Sequence, residues 1–272
     1  MDNFANYILD EKDLGQKMVI AYYLSKKTGI FFDKSVVLKT EIARIFMEYM
    51  NIDVDRNLVL TAMLLCNCKK IDNAQKIGKL ETFAKDGADY LQTLGFSKRF
   101  CKICEEINRY SRSEKREMES DILEVVDQFV GLILNRVERE AFTTEEAIIV
   151  LKERNLKNTD NRYIDLFIQF IEEMEKVCIK EIIEVPIIKK LVNLHNKEAN
   201  VKTYIAILSN KYSKKIDNIL IKKGKIDAKE LFEEDNTVTE YELIEKKNNR
   251  ALFSKEIANK VMNHQSKYKV EE

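Results

Sequence analysis

Four cysteines in two closely spaced pairs are the first side chains in this sequence whose types and spacing could support chemistry. Cys66 and Cys68 lie in "LTAMLLCNCKK", residues 60–70, and Cys101 and Cys104 form the second pair. Two such pairs raise the possibility of a four-thiolate zinc site. Both pairs are expected on or at the ends of helices, where residues two apart point in different directions. We therefore favour buried, apolar cysteines and predict no metal.

The two histidines do not suggest a metal site or a catalytic centre either. His195 and His264 both fall in the C-terminal part, and neither has a carboxylate or second histidine at metal-binding spacing. A histidine general base in the N-terminal part is excluded, because that part contains no histidine. No phosphate-binding glycine loop or nucleophile elbow is present. Cys178 brings the number of cysteines to five. An odd number, together with the lack of an export signal, favours reduced thiols over a disulfide framework.

The composition is that of a globular protein. The 272 residues are 45% hydrophobic and 34% charged, with a formal net charge of zero. This balance argues against a basic, nucleic-acid-binding surface that extends over the whole protein. Residues 211–225 are nevertheless locally basic. No apolar run approaches the roughly 20 residues of a membrane helix, and the acidic start lacks signal-peptide layout. We expect a cytoplasmic protein that does not use a membrane. Nucleic-acid binding through residues 211–225 is kept only as a minor alternative, which would show as a steep salt dependence of binding.

Seven glycines and one proline leave few breaks, so the chain is predicted to be helical almost throughout. Gly29 and Gly95 are predicted helix stops, and Ser97 a helix N-cap. Thr143 and Glu146 have capping-box spacing. We predict helices over residues 14–27, 37–49, 58–66, 82–94, 97–110, 121–136, 145–154 and 160–183.

A change of character near Pro186 suggests two parts. Residues 1–185 form the predicted helical domain, and residues 186–272 a basic, mostly helical extension with a net charge of about +5 over its last 84 positions. Residues 237–243 alternate in a weakly strand-like way. The second part is either an accessory module or a set of added helices.

Four stretches resemble, in order, the HD-domain phosphohydrolases. "LVLTAMLLCNCKK" is similar to the helix that ends in Leu-Leu-His-Asp-x-Gly-Lys, and "ETFAKDGADYLQTLGF" to the element His-Pro-x-x-Gly-Ala-x-x-Leu. "DILEVVDQFVGLILNR" resembles a helix with an aspartate and a following arginine. "FTTEEAIIVLKERNLKNTDNRYIDLFIQFI" resembles the closing helices of the HD-GYP branch. The resemblance spans roughly residues 14–175 and implies an all-α, HD-domain-like helical bundle.

The HD-GYP branch degrades cyclic di-GMP at a two- or three-metal centre, and this sequence departs from it at the ligands. The signature His and Asp fall on Cys66 and Asn67, and the second-element His on Phe83. The loop that carries Gly-Tyr-Pro in the family is too short here. The early His falls near Leu38, and an adjacent His pair falls near Tyr110 and Ser111.

Among the metal-ligand positions only Asp127 is kept, with Lys70 and Arg136 kept beside the motifs. One aspartate cannot hold two divalent ions, and without a metal no water is activated for phosphodiester attack. An aspartate in an apolar bundle nevertheless needs a cation or donors. We therefore expect an Asp127–Lys70 contact where the family holds metal, and no cofactor.

The resulting prediction is a non-catalytic HD-domain protein with a regulatory or protein-interaction role in bacterial signalling. A protein partner or self-association follows from this interpretation. One alternative is a nucleotide sensor, for example for cyclic di-GMP, with Lys70, Arg109 and Arg136 on the phosphates. Another alternative is a metal-dependent phosphohydrolase with an atypical centre of Cys66, Cys68 and Asp127.

Overall fold

The computed structural model describes residues 4–70, 83–107, 116–134, 141–155, 161–180 and Val192. These ranges contain nine helices and no strand, so the described part of the chain is all-α as predicted. None of these helices combines the length and apolar character needed to cross a membrane. The helices are α1 (Phe4–Asp10), α2 (Leu14–Thr28), α3 (Lys34–Tyr49), α4 (Arg56–Leu65), α5 (Phe83–Thr93), α6 (Lys98–Glu105), α7 (Met118–Ile133), α8 (Thr144–Asn155) and α9 (Ile164–Lys180).

Local sequence signals set several helix ends. Gly29 and Gly95 adopt the positive φ values, 66° and 90°, that glycine tolerates without steric cost. Ser97 caps α6 by accepting from the backbone N–H of Phe100. Thr143 and Glu146 form the predicted reciprocal capping box at the start of α8. These four predictions from short-range sequence are confirmed.

The helix α4 lies at the centre of the bundle. It packs against α1, α2, α3, α6 and α7, and Val59, Ala62, Met63 and Leu65 are fully buried. It begins two residues earlier than predicted, because the side chain of Asp55 caps it by accepting from the N–H of Leu58. The central position follows from a segment that is apolar on most sides.

Aromatic side chains join α3, α7 and α9 on one flank of α4. The Phe167 ring of α9 lies edge-on to Phe46 of α3, with centroids 4.9 Å apart. It also meets Phe129 of α7 at 5.3 Å, again edge to face. Rings in this arrangement add to the stabilisation from burial alone. The contact fixes α3 against α7, and these two helices carry the residues of the candidate site.

The predicted boundary near Pro186, the C-terminal extension apart from Val192, and the strand-like residues 237–243 lie outside the described residues. The same holds for Asp160, the expected cap of the last long helix.

Candidate functional site

Asp127, the one metal-ligand position kept from the HD resemblance, is engaged by two residues far away in the sequence. Lys39 donates from Nζ to Asp127 Oδ1 at 2.6 Å. Asn67 donates from Nδ2 to the same oxygen at 3.3 Å. These residues come from α3, from the turn after α4 and from α7. The fold thus brings together three segments that the sequence separates by 28 and 60 residues.

The Lys39–Asp127 pair is shielded unevenly from solvent. The Lys39 side chain is 3% exposed, whereas that of Asp127 is 23% exposed. Lys39 therefore depends on this carboxylate for charge compensation, because a buried ammonium without a partner is costly. The exposed part of the Asp127 side chain can still reach water.

The electrostatics keep Asp127 ionised. Burial acts to raise its pKa, but the charges of Lys39 and Lys70 and the hydrogen bonds from Lys39 and Asn67 outweigh burial and hold the pKa of Asp127 well below its usual range. The expected cation beside Asp127 is therefore present. The direct ion pair comes from Lys39, however, and not from the Lys70 that we predicted; Lys70 acts on Asp127 through its charge.

The sequence interpretation missed Lys39, although a signal for it existed. The family's early histidine falls near Leu38, which is fully buried in the core. Lys39 is the next residue, and it interrupts an otherwise apolar run, "VVLKTEI". A lysine inside such a run must find a buried partner or reach solvent. That requirement could have identified Lys39 as a candidate partner of a buried carboxylate.

Lys70 contacts Phe83, the position on which the second-element histidine falls in the resemblance. Its Nζ lies 5.9 Å from the centroid of the Phe83 ring at the start of α5. The neighbouring Lys69 lies 4.6 Å from the Tyr90 centroid, on the same helix. Both are cation–π contacts, which hold the end of the α4 segment to α5.

The thiols beside the site are packed as small apolar groups. Cys66, Cys68, Cys101 and Cys104 are buried and unbridged. Burial, with a smaller contribution from the charge of Asp127, raises the pKa of the Cys66 thiol well above its ordinary value. Burial likewise raises the pKa of Cys104. Protonated thiols are poor metal ligands and poor nucleophiles.

Gly87, which matches the glycine of the family's second element, allows α5 to approach the Cys66–Cys68 turn closely. A Cβ at this position would lie 3.2 Å from Cys68 Sγ and 3.4 Å from the Cys66 carbonyl oxygen. Cys68 Sγ in turn lies 3.7 Å from the Gly87 carbonyl, to which it donates. A side chain at this position would require its neighbours to move by a few tenths of an ångström.

The donor set around Asp127 does not fit the metal centre of the HD family. The side chains that contact Asp127 are an ammonium, Lys39, and an amide, Asn67, whereas such a centre requires several imidazoles and carboxylates. Within the described ranges, no three His, Cys, Asp or Glu side chains converge as metal ligands. One buried acceptor, Asn67 Oδ1, has no hydrogen-bond partner. A single amide oxygen beside one paired carboxylate is too few donors for a divalent ion.

The other predicted site residues, Arg109 and Arg136, lie outside the described residues, as do Tyr110 and Ser111. Comparison of the chain with protein-family models, with curated proteins and with solved structures gives no significant match in any of the three.

Proposed function

We propose that this chain is a non-catalytic regulatory or protein-interaction protein, built on a helical bundle related to the HD-type phosphohydrolases and acting in bacterial signalling. The proposal includes a cytoplasmic location and either a protein partner or self-association. Its support is the order of the four resembling stretches and the hydrogen bond between Asn67 and Asp127, which belong to the first and third of them.

The observation that carries the proposal is the Lys39 ammonium on Asp127. A lysine cation in direct contact with the last ligand-type carboxylate competes with any divalent ion for that oxygen. The pair also satisfies the aspartate without a metal, so the bundle gains a stable core contact in place of a reactive centre. The same pair argues against the atypical-centre alternative, which in addition needs a Cys66 thiolate that burial disfavours.

The test is metal content and hydrolysis by the full-length chain. The protein is incubated with Mn²⁺ or Fe²⁺, desalted, analysed for metal, and assayed on bis(p-nitrophenyl) phosphate and cyclic di-GMP. The Asp127→Asn variant is the matched control, since it removes the only ligand-type carboxylate of the site. We expect metal well below one equivalent and no hydrolysis above the control. Stoichiometric metal together with turnover that is lost in the control would overturn the proposal.

A nucleotide-binding sensor is the second candidate, and the charge at the site favours it. Lys39 and Lys70 together act on the single carboxylate of Asp127, so these three side chains carry a net positive charge. Phosphate groups are bound by such clusters. The nucleotide panel, including cyclic di-GMP, is tested by thermal shift, because a ligand at ten times its Kd stabilises the fold by about 1.4 kcal/mol.

A nucleotide sensor at this site predicts a ligand-induced thermal shift that depends on Lys70. Lys70→Gln should abolish the shift, and Lys98→Gln, at an exposed position of α6, should leave it unchanged. The absence of any shift at millimolar ligand would contradict the sensor and leave the interaction role.

A further inference from the structure

A surface pocket lies at the end of α4 opposite to Asn67. It has a volume of about 260 Å³, and its walls include Leu14, Met47 and Leu60. Lys12 and Arg56 also line it, and both side chains are exposed. A cavity of about 150 Å³ is enough to hold a benzene ring, so this pocket can take one large apolar side chain. Leu60 precedes Asn67 by seven residues, about 10 Å along the helix, so the pocket is distinct from the Asp127 site.

The carboxylates that line this pocket already have hydrogen-bond or ion-pair partners within the bundle. Glu48 pairs with Arg44, whose guanidinium is also held by the buried Glu41. Asp13 caps α2 by accepting from the N–H of Gln16 at 3.1 Å. The pocket's carboxylates therefore have partners or helix N–H groups within the bundle.

Lys12 and Arg56 are different, because their charges are available. Both are exposed, and neither forms an ion pair with another residue of the described part of the chain. Each offers its full set of N–H donors at the rim of an apolar cavity. The complementary occupant is an apolar side chain flanked by carboxylates.

The chain itself contains such a segment. Residues 230–245, "ELFEEDNTVTEYELIE", include seven acidic residues and no lysine or arginine, although they belong to the basic C-terminal part. The density is greatest at residues 230–235, where Leu231 and Phe232 are bordered by Glu230 and Glu233. These residues lie outside the described ranges.

The length of the intervening chain permits this contact. Residues 181–229 separate α9 from the acidic segment, and an extended chain spans up to about 3.3 Å per residue. That reach exceeds the diameter of a bundle of this size. Tethering raises the effective concentration of the segment near the bundle, so a weaker contact suffices than for a free partner.

We propose that residues 230–235 dock onto their own helical bundle, with the Phe232 ring in this pocket and the flanking carboxylates on Lys12 and Arg56. The docked segment covers the pocket and neutralises its free cations. A partner protein that uses this surface must displace the segment, which makes the contact autoinhibitory. The contact does not involve the Asp127 site, and it does not depend on the function proposed for that site.

Zero-length carbodiimide cross-linking of the full chain at low micromolar concentration tests the contact. The reagent joins an amine to a carboxylate only when the two touch. We expect an amide between Lys12 and an acidic residue of 230–235, found by mass spectrometry in the monomeric product. Cross-links of Lys12 that avoid this segment, or that occur only in a covalent dimer, would overturn the proposal.

Two variants separate docking from simple charge attraction. Phe232→Ser keeps every charge but removes the anchor, and Leu60→Glu places a carboxylate in the partly exposed pocket wall. Each should lower the Lys12 cross-link about tenfold, which corresponds to about 1.4 kcal/mol. Lys85→Gln, an exposed lysine of α5, is the matched control and should leave the yield unchanged. An unaltered yield in Phe232→Ser, with the circular dichroism of the wild type, would show that no anchor is bound.

Discussion

At the scale of single residues, Lys39 and Lys17 are unusual because both are buried. The two ammonium groups have different kinds of hydrogen-bond acceptor. Lys39 neutralises Asp127 across 88 positions of sequence. Lys17 is fully buried and donates to the Ile8 carbonyl oxygen at 2.5 Å and to Thr61 Oγ1 at 2.7 Å. Lys17 thus holds the end of α1 with neutral acceptors, and Lys39 uses a charged one.

Removal of the Lys39 charge should be costly because it leaves Asp127 without its cation. We expect Lys39→Met to lower the free energy of unfolding by about 2–4 kcal/mol. Asp127→Asn should also destabilise, and the double variant should lose about 1–2 kcal/mol less than the sum of the two. Urea unfolding of the wild type, the two single variants and the double variant at pH 7 gives the coupling free energy between Lys39 and Asp127.

The exposed Arg44–Glu48 pair supplies the control for this cycle. Glu48→Gln should change the free energy of unfolding by less than about 1 kcal/mol, because Glu48 is 51% exposed. Strict additivity of the Lys39 and Asp127 substitutions would mean that their ion pair contributes nothing to stability.

Lys17 should make stability depend on pH in the alkaline range. Burial lowers its pKa to about 8, with partial compensation by Glu11. Between pH 8 and the unfolded value near 10.4, the unfolded chain binds more protons than the folded one, so stability rises with pH. Below pH 8 both states are charged, and the cost of the buried ammonium is fully present.

The difference between wild type and Lys17→Met isolates this effect, since the buried cysteines titrate equally in both proteins. From pH 7 to 10 the wild type should gain about 2 kcal/mol relative to Lys17→Met. Urea unfolding at unit pH intervals measures it. A constant difference would show that the pKa of Lys17 is not lowered.

At the scale of helices, α5 packs closely against the Cys66–Cys68 turn. The Gly87 backbone lies against the Cys68 thiol and the Cys66 carbonyl oxygen. Lys69 and Lys70 extend from the same turn over Tyr90 and Phe83 of α5. The turn after α4 is therefore held to α5 by packing on one side and by cation–π contacts on the other.

Gly87→Ala should be destabilising even though alanine favours a helix. Its Cβ would lie 3.2 Å from Cys68 Sγ, so the thiol or the helix must shift. We expect a loss of about 1–2 kcal/mol. Cys68→Ala in the same chain removes the sulfur and should recover part of that loss, as measured by thermal unfolding. Full stability of the single variant would show that the turn adapts freely.

At the scale of the whole molecule, α7 is held both at its centre and at its start. Its centre meets α3 and α9 through the rings of Phe129 and Phe167. Its start is bound by Arg116, whose Nε lies 3.0 Å from the buried Asp121. Asn161 donates to the Asp121 carbonyl oxygen at 2.8 Å and ties the chain before α9 to the same turn. The position of Asp127 on α7 depends on both contacts.

Truncation of the central ring should therefore affect the whole bundle. Phe167→Ala is expected to cost about 3–5 kcal/mol, because the residue is fully buried between three helices. Tyr49→Ala, at a 45% exposed ring that touches the same cluster through Phe170, should cost less than about 1 kcal/mol. Equal losses in urea unfolding would contradict a shared aromatic core.

The sequence by itself determined the helical class, the central burial of α4 and several helix ends, because apolar period and capping are local properties. Ser97 and the Thr143–Glu146 box are of this kind. It also determined that imidazoles are missing from the described bundle. Only the tertiary structure decided which cation meets Asp127. Periodicity shows which side of α3 is buried, but the packing of α3 against α7 selects the facing turn, and that turn carries Lys39.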